Sequence, residues 1–271
     1  MILHSFINAN IIWDISPELF TLGPLRVRWY GLFFGGSFLL SLYLMRKIFR
    51  MEAKPVDDAT SLFVYVLIGT IVGARLGHCL FYSPSYYLSD PIEIVKLWQG
   101  GLASHGGVFG ILLAIFFYSC RHPGQSFLWV IDRVAIVAGL NGFFIRIGNL
   151  FNSEIIGTET TLPWAFVFAN IDLVPRHPVQ IYESLAYGAI FIILLAIYFK
   201  SRDKLNSGFF LGLLFVLVFT ARFLLEFVKI RQAEYSDAIP LSVGQILSIP
   251  FIIAGVFLLA FSLKKRDCQE L

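Results

Sequence analysis

The residues most able to do chemistry crowd into IRIGNLFNSEIIG, residues 145–157, where Arg146, Asn149, Asn152 and Glu154 interrupt an otherwise apolar run. Polar and ionised groups are costly in such surroundings and need a reason to be there. On a helix Arg146 and Asn149 lie three residues apart and share a face. An arginine beside two amides can bind a phosphate or a carboxylate, with Glu154 orienting the guanidinium. Gly148 and Gly157 permit a close backbone approach or a break in the helix. The competing reading is a network that satisfies itself and only packs helices.

Other groups of the same character follow. SHGGVFG (104–110) places His105 before Gly106 and Gly107, where an imidazole can accept a proton. RFLLEF (222–227) spaces Arg222 and Glu226 for an i,i+4 pair, either a self-neutralised structural pair or a second fixed cation. Two guanidinium groups from different segments would clamp a phosphate. Arg75 in VGARLG is another cation in an apolar stretch. RWYGL supplies Tyr30, HPVQIYES supplies Gln180 and Glu183, and Gly244–Gln245 opens a late apolar run. The three cysteines are scattered, with no metal spacing, so no metal site or cofactor is expected. No nucleotide-binding glycine loop or serine elbow is present, and nothing points to nucleic acid.

These residues are carried by a chain of 271 residues that is 57% hydrophobic and only 14% charged. That is too little polar surface to cover a water-soluble globule of this size, whereas a bilayer tolerates an apolar exterior. Apolar runs long enough to cross a membrane fall near 29–48, 59–80, 104–119, 128–147, 181–199, 208–226 and 243–263. Their continuity predicts helices rather than barrel strands. The fold expected is therefore an all-α polytopic membrane protein with about seven transmembrane helices, forming a single transmembrane domain over 1–271. Lys and Arg cluster at 46–54, 121–133, 200–204 and 264–266, which an odd number of spans places on one side. The N-terminus is then outside and the C-terminus cytoplasmic. The first residues lack the basic stretch of a cleaved signal peptide. The outer connections 81–103 and 148–180 are long and rich in aromatic, Gly and Pro residues, with Tyr82, Tyr86, Tyr87 and Trp98 suited to an interfacial belt. They predict irregular loops with short interfacial helices or strands, and 149–180 an outer-face loop or small head region. In this orientation the polar residues gather at the outer mouth of the bundle, a cavity of net positive potential that suits a phospholipid.

RWYG at 28–31, HGG at 105–107, RxGNxxNxE at 146–154 followed by Gly157, HPxQxYE at 177–183, RFxxEF at 222–227 and LSxGQxLSxP at 241–250 occur in this order. Together they resemble the prolipoprotein diacylglyceryl transferase family, over residues 20–262. The resemblance implies transfer of the diacylglyceryl group of phosphatidylglycerol to the lipobox cysteine thiol of a preprolipoprotein, forming a thioether and releasing glycerol phosphate. It implies a bacterial inner-membrane enzyme working near the outer face among membrane lipids. It also implies functional roles at Tyr30, His105, Gly106, Arg146, Asn149, Glu154, Gly157, Arg222 and Glu226, with Arg75 in a recurrent stretch. The chain departs from the family in Ile145, Phe143 and Phe144 before the motif arginine, in Lys229 where an arginine is usual, and in QGGLAS before His105, which lacks the usual acidic residue.

Such a reaction displaces a phosphodiester oxygen from a glycerol carbon by a thiolate. His105 is the candidate base, unless phosphate or water accepts the proton and the imidazole only positions lipid. Arg146 and Arg222 are the candidate phosphate stabilisers, held by Glu154 and Glu226, with Asn149 and Tyr30 on the glycerol or phosphate oxygens. The alternative is a phospholipid or small-anion transporter with an arginine-lined cavity, against which stand the lack of an internal repeat and the clustering of polar groups toward one face.

Overall fold

The computed structural model describes residues 10–23, 25–96, 100–230 and 241–267. Trp98 and Cys268 lie outside them. Among the described residues seven helices are long and apolar enough to cross a membrane. They are α1 (Trp29–Met51), α2 (Val56–Tyr82), α4 (Ser104–Arg121), α5 (Phe127–Phe151), α6 (Val179–Ser201), α7 (Phe209–Leu225) and α8 (Val243–Asp267). Their backbone hydrogen bonds run within each helix, as hydrocarbon requires, apart from the one that Pro250 cannot donate inside α8. The expected spans match these helices to within about four residues at each end, and α5 runs on past 147 through Asn149 to Phe151. The polar residues therefore ride on a continuous helix.

The long connections fold locally, as the sequence predicts. Between α2 and α4, proline opens both a short helix α3 (Pro84–Ser89) and a 3-10 turn (Pro91–Val95). Strands β1 (Ile11–Trp13), β4 (Phe166–Phe168) and β5 (Pro175–Arg176) form one sheet in the order β1-β4-β5. β1 runs parallel to β4, and β5 runs antiparallel to it. Strands β2 (Glu18–Leu22) and β3 (Leu25–Arg28) make an antiparallel ribbon leading into α1.

Contacts divide the chain into two compact units, and both boundaries fall within helices, α1 and α5. One unit is Leu42–Val134. Its centre is the packing of α2 on α4, where glycines allow the backbones to meet. A Cβ on Gly69 would lie 2.5 Å from the Gly110 carbonyl oxygen, one on Gly73 2.8 Å from Gly110 Cα, and one on Gly77 2.7 Å from Gly106 Cα. Small residues at a four-residue spacing are the usual device for close helix approach in lipid. A polar knot of Glu52, Trp129, Asp132 and Arg133 ties the start of α5 to the α1–α2 turn. Arg133 Nε lies 3.0 Å from Glu52 Oε1, and Trp129 Nε1 donates to Glu52 Oε2 at 2.9 Å.

The second unit comprises the residues up to Ser41 and those from Ala135. Here Gly139 and Gly142 of α5 take α6 close, with Tyr187 packed on both, while Ser184 Oγ donates to the Phe143 carbonyl at 3.2 Å. Phe143 packs its ring on Gly188. Gly212 and Gly255 bring α7 and α8 together in the same way. A small apolar cluster of Leu150, Phe166 and Phe168, with Trp13, Ile156 and Ile181 against it, seats the sheet on the end of α5. That seating fixes the loop after Phe151, where Glu154 sits.

Candidate site of buried ions

In the second unit the close approach of α6 to α5 brings Glu183 and Tyr187 to Arg146. Glu183 is fully buried, and its Oε2 lies 2.9 Å from Arg146 Nε. Neither atom meets hydrogen-bond angles, so the contact is ionic rather than directional. Arg146 Nη1 donates to Asn149 Oδ1 at 3.0 Å, the i,i+3 contact expected on one helix face. The guanidinium carbon stands 6.0 Å from the Tyr187 ring centre. Asn149 passes the network on, its Nδ2 donating to Glu154 Oε1 at 2.7 Å, where Asn152 Nδ2 also donates at 3.2 Å. Glu154 is held by a backbone that L residues rarely adopt, since Ser153 (φ 53°) and Ile155 (φ 59°) flank it in the left-handed region. For a β-branched residue such as Ile155 that conformation costs free energy and persists only when its surroundings impose it. Gln180 Nε2 donates to the Glu154 carbonyl at 2.8 Å and anchors the same turn.

The other oxygen of Glu183 accepts from Lys229 Nζ at 2.6 Å, and Lys229 also faces Glu226 Oε2 at 3.4 Å. Glu226 rests on Gly244, where an added Cβ would lie 2.5 Å from Oε1. Arg222 joins the group electrostatically, since its charge and that of Arg146 both bear on Tyr187. Tyr30 packs on Gly148, two residues on from Arg146, within electrostatic reach of Arg146 and Glu154. The expected pairings are thus redrawn. The carboxylate on Arg146 is Glu183 rather than Glu154, and Glu226 pairs with Lys229 rather than Arg222. Among the described residues Arg222 has no carboxylate within ion-pair distance. Among the described residues of this group three cations (Arg146, Arg222, Lys229) stand with three carboxylates (Glu154, Glu183, Glu226). Outside the spans, Arg176 Nη2 lies 2.6 Å from Asp172 Oδ2 and holds that carboxyl below the usual range, so the pairing persists at neutral pH and is lost on acidification.

In the first unit His105 occupies the first turn of α4, exposed, with Phe81 and Tyr82 ring centres each 5.9 Å away. Tyr82 stacks on His78 at 5.5 Å, and Tyr87 lies between His78 and Arg75. His78 is a second imidazole that sequence reasoning misses, since nothing in its local motif sets it apart. A groove of about 850 Å³ runs along the α2–α4 seam, walled by residues such as Ile68, Leu76, Phe109 and Leu113. His105 lies at one end of it and Arg121 at the other.

Four expected substrate contacts prove to be engaged in structure. Arg75 is buried and spends all five N–H groups on backbone carbonyls: Ile94 (2.8 Å), Gly100 (2.5 Å), Gly101 (3.2 Å), Glu93 (2.6 Å) and Lys96 (3.3 Å). It fastens the α2–α4 connection and has no donor left for a ligand. Replacing it with lysine, which has three donors on one atom, is expected to destabilise the unit by about 2–4 kcal/mol. Melting in detergent, with faster proteolysis between residues 84 and 101, would check this. Gln245 forms a reciprocal cap at the start of α8: its Oε1 accepts from Ser242 N at 2.9 Å, and its N–H donates to Ser242 Oγ at 3.2 Å. Gly106 faces the α2 backbone. Gly157 is hemmed in by His177 and Val179 and bridges to Lys229.

The chain matches the family model described as prolipoprotein diacylglyceryl transferase over residues 17–261. It is 56% identical to the phosphatidylglycerol–prolipoprotein diacylglyceryl transferase of Chloroherpeton thalassium, over 97% of this chain and 98% of that one. Identity to the enzyme of the same name from Tolumonas auensis is 49%, over 94% of this chain and 99% of that one. For that from Porphyromonas gingivalis it is 44%, over 97% and 98%. The chain belongs to the prolipoprotein diacylglyceryl transferase family. The structure places the RxGNxxNxE and RFxxEF motifs in one ion network of the second unit, and the HGG motif at the head of the α2–α4 groove in the first. It also brings into focus Glu183, which the sequence placed only among mouth residues, and Lys229, which it treated as a departure.

Proposed function

We propose that the protein transfers the diacylglyceryl group of phosphatidylglycerol to the lipobox cysteine of a preprolipoprotein, at the outer face of a bacterial inner membrane, with the N-terminus outside and the C-terminus cytoplasmic. The observation that carries this reading is the state of the two arginines. Arg146 is gripped from three sides and Arg222, among the described residues, has no carboxylate within ion-pair distance, both in an apolar span where an unmatched cation is costly. An anion that enters with the substrate supplies what is missing, and the phosphodiester of phosphatidylglycerol is that anion.

The reaction forms a C–S bond to a glycerol carbon and breaks the C–O bond to phosphate, whose oxygen keeps the electron pair. Arg146 and Arg222 stabilise the charge that grows on this oxygen, in surroundings of low dielectric where fixed charges act strongly. Glu183 and Asn149 fix the Arg146 fork, Glu154 fixes Asn149, and Tyr30 borders the same group. Glu226 holds Lys229, and Gln180 keeps the Glu154 turn. His105 is the proposed acceptor of the thiol proton, an exposed imidazole in the first turn of α4. The transporter reading has no observation in its favour.

Two measurements test this. Purified protein with a lipobox peptide should form the thioether, read by mass spectrometry, with phosphatidylglycerol and not with phosphatidylethanolamine; no transfer with either lipid rejects the reading. His105→Gln is expected to lower turnover by about 10²–10⁴-fold if the imidazole is the base. Turnover near that of the unaltered protein would limit His105 to placing lipid.

A further inference from the structure

We propose that Lys229 is a positioning residue for Arg146, acting through Glu183. The inference rests on the role of Arg146 proposed above. Glu183 has no exposure to solvent, and its two oxygens face two different cations, Lys229 Nζ at 2.6 Å and Arg146 Nε at 2.9 Å. A lone buried carboxylate beside an arginine takes the bidentate geometry, two oxygens on two nitrogens, and neutralises it. Lys229 holds one oxygen away. Glu183 therefore meets Arg146 through a single oxygen at Nε, and Nη1 is set toward Asn149 instead. With Lys229 on its other oxygen, Glu183 is kept from neutralising the guanidinium in the fork geometry that an incoming phosphate would have to displace.

Lys229 is itself held in place on three sides. Its side chain is 8% exposed, and Glu226 lies 3.4 Å from Nζ as a second carboxylate partner. Its backbone bridges Gly157, Thr158 N donates to the Val228 carbonyl at 2.9 Å, and Ile230 N donates to the Ile156 carbonyl at 3.3 Å. These contacts link the segment after α7 to the loop that carries Glu154. The requirement for glycine at 157 follows, since any side chain there would push into His177 and Val179 and shift the strand-like bridge that seats the ammonium. A lysine suffices because the task is a point charge on one oxygen, not a fork.

The test is a double-mutant cycle on turnover, with phosphatidylglycerol and a lipobox peptide. Lys229→Met is expected to lower kcat about fiftyfold while the KM for lipid changes less than about threefold, because the loss is felt in the transition state. In a Glu183→Gln background, with no carboxylate charge left to swing onto Arg146, the same Lys229→Met change should alter kcat by less than about threefold. Lys229→Arg should stay within about fivefold of the unaltered protein. Equal losses from Lys229→Met in both backgrounds would overturn the proposal. So would a loss explained by a matching fall in melting temperature, since that is a structural role. If Lys229→Met does not fold, Lys229→Gln compared with and without Glu183→Gln decides the same question. Arg146→Lys serves as the separate control: if it retains full turnover, the role of Arg146 fails, whereas a large loss there with no Lys229–Glu183 coupling rejects this inference alone.

Discussion

Arg146→Lys is expected to reduce thioether formation by about a hundred- to a thousandfold, the scale of losing one preorganised charge-stabilising donor, with little change in melting temperature. Arginine meets its partners at separate atoms: Nε faces Glu183, Nη1 faces Asn149, and the planar group lies against Tyr187. A lysine places one nitrogen where these several were. It can face Glu183 or reach Asn149, and it cannot hold both while presenting a second donor to phosphate. Asn149 would then lose its fixed acceptor contact, and the bond it makes to Glu154 at 2.7 Å would loosen with it. Stability should change little because Glu183 keeps Lys229 as a counter-ion, so no buried charge is orphaned. The check is kcat and KM for phosphatidylglycerol in defined micelles, beside a melt of the same preparation. Turnover within about fivefold of the unaltered protein would reject the phosphate role, since that is far below the loss of a donor that acts on the transition state.

How much of this is legible in the sequence follows from what each feature depends on. The seven spans are legible because hydrocarbon imposes a length and a continuous apolar run. Even so, α5 extends past its expected end, because Arg146 and Asn149 bond to one another along the helix and need not terminate it. The pairing of Arg222 with Glu226 fails for a local reason. Glu226 still closes the i,i+4 backbone bond to Arg222, but the 3-10 turn that begins there brings Lys229 back over it, and the carboxylate lies against Lys229 and Gly244. The pairing of Arg146 with Glu183 joins two helices, and no spacing rule along one helix can find it. Two further signals are present in the sequence. Ser242 and Gln245 stand at capping-box spacing, and glycines at 69, 73 and 77 repeat at the four-residue interval of close helix packing. Arg75 misleads because an arginine in an apolar span suggests an anionic partner, while five carbonyls satisfy it equally well.

The glycine repeat leads to the second large effect: Gly110→Leu should prevent the first unit from folding stably. Its Cβ would sit 2.9 Å from Gly73 Cα and 2.9 Å from the Gly69 carbonyl carbon, with the Gly69 carbonyl oxygen nearer still. These are backbone atoms of a helix, and no rotamer change relieves the overlap, so α2 and α4 must separate along their shared seam. Separation removes packing on which helix association in lipid depends, and small-to-large changes in close packing cost about 1–3 kcal/mol even where side chains can adjust. Where backbone must move the loss is expected to exceed about 4 kcal/mol, within reach of the whole stability of a marginal domain. The seam also carries the groove that ends at His105, so residual protein should have lost turnover as well. Gly36→Ala is the matched control, because its Cβ meets nothing within 4 Å in the middle of α1, and alanine there should stabilise the helix by up to about 1 kcal/mol. Yield of monodisperse protein in detergent and its melting temperature distinguish the two. A Gly110→Leu protein that melts with the unaltered one would mean that the α2–α4 seam does not hold this unit together.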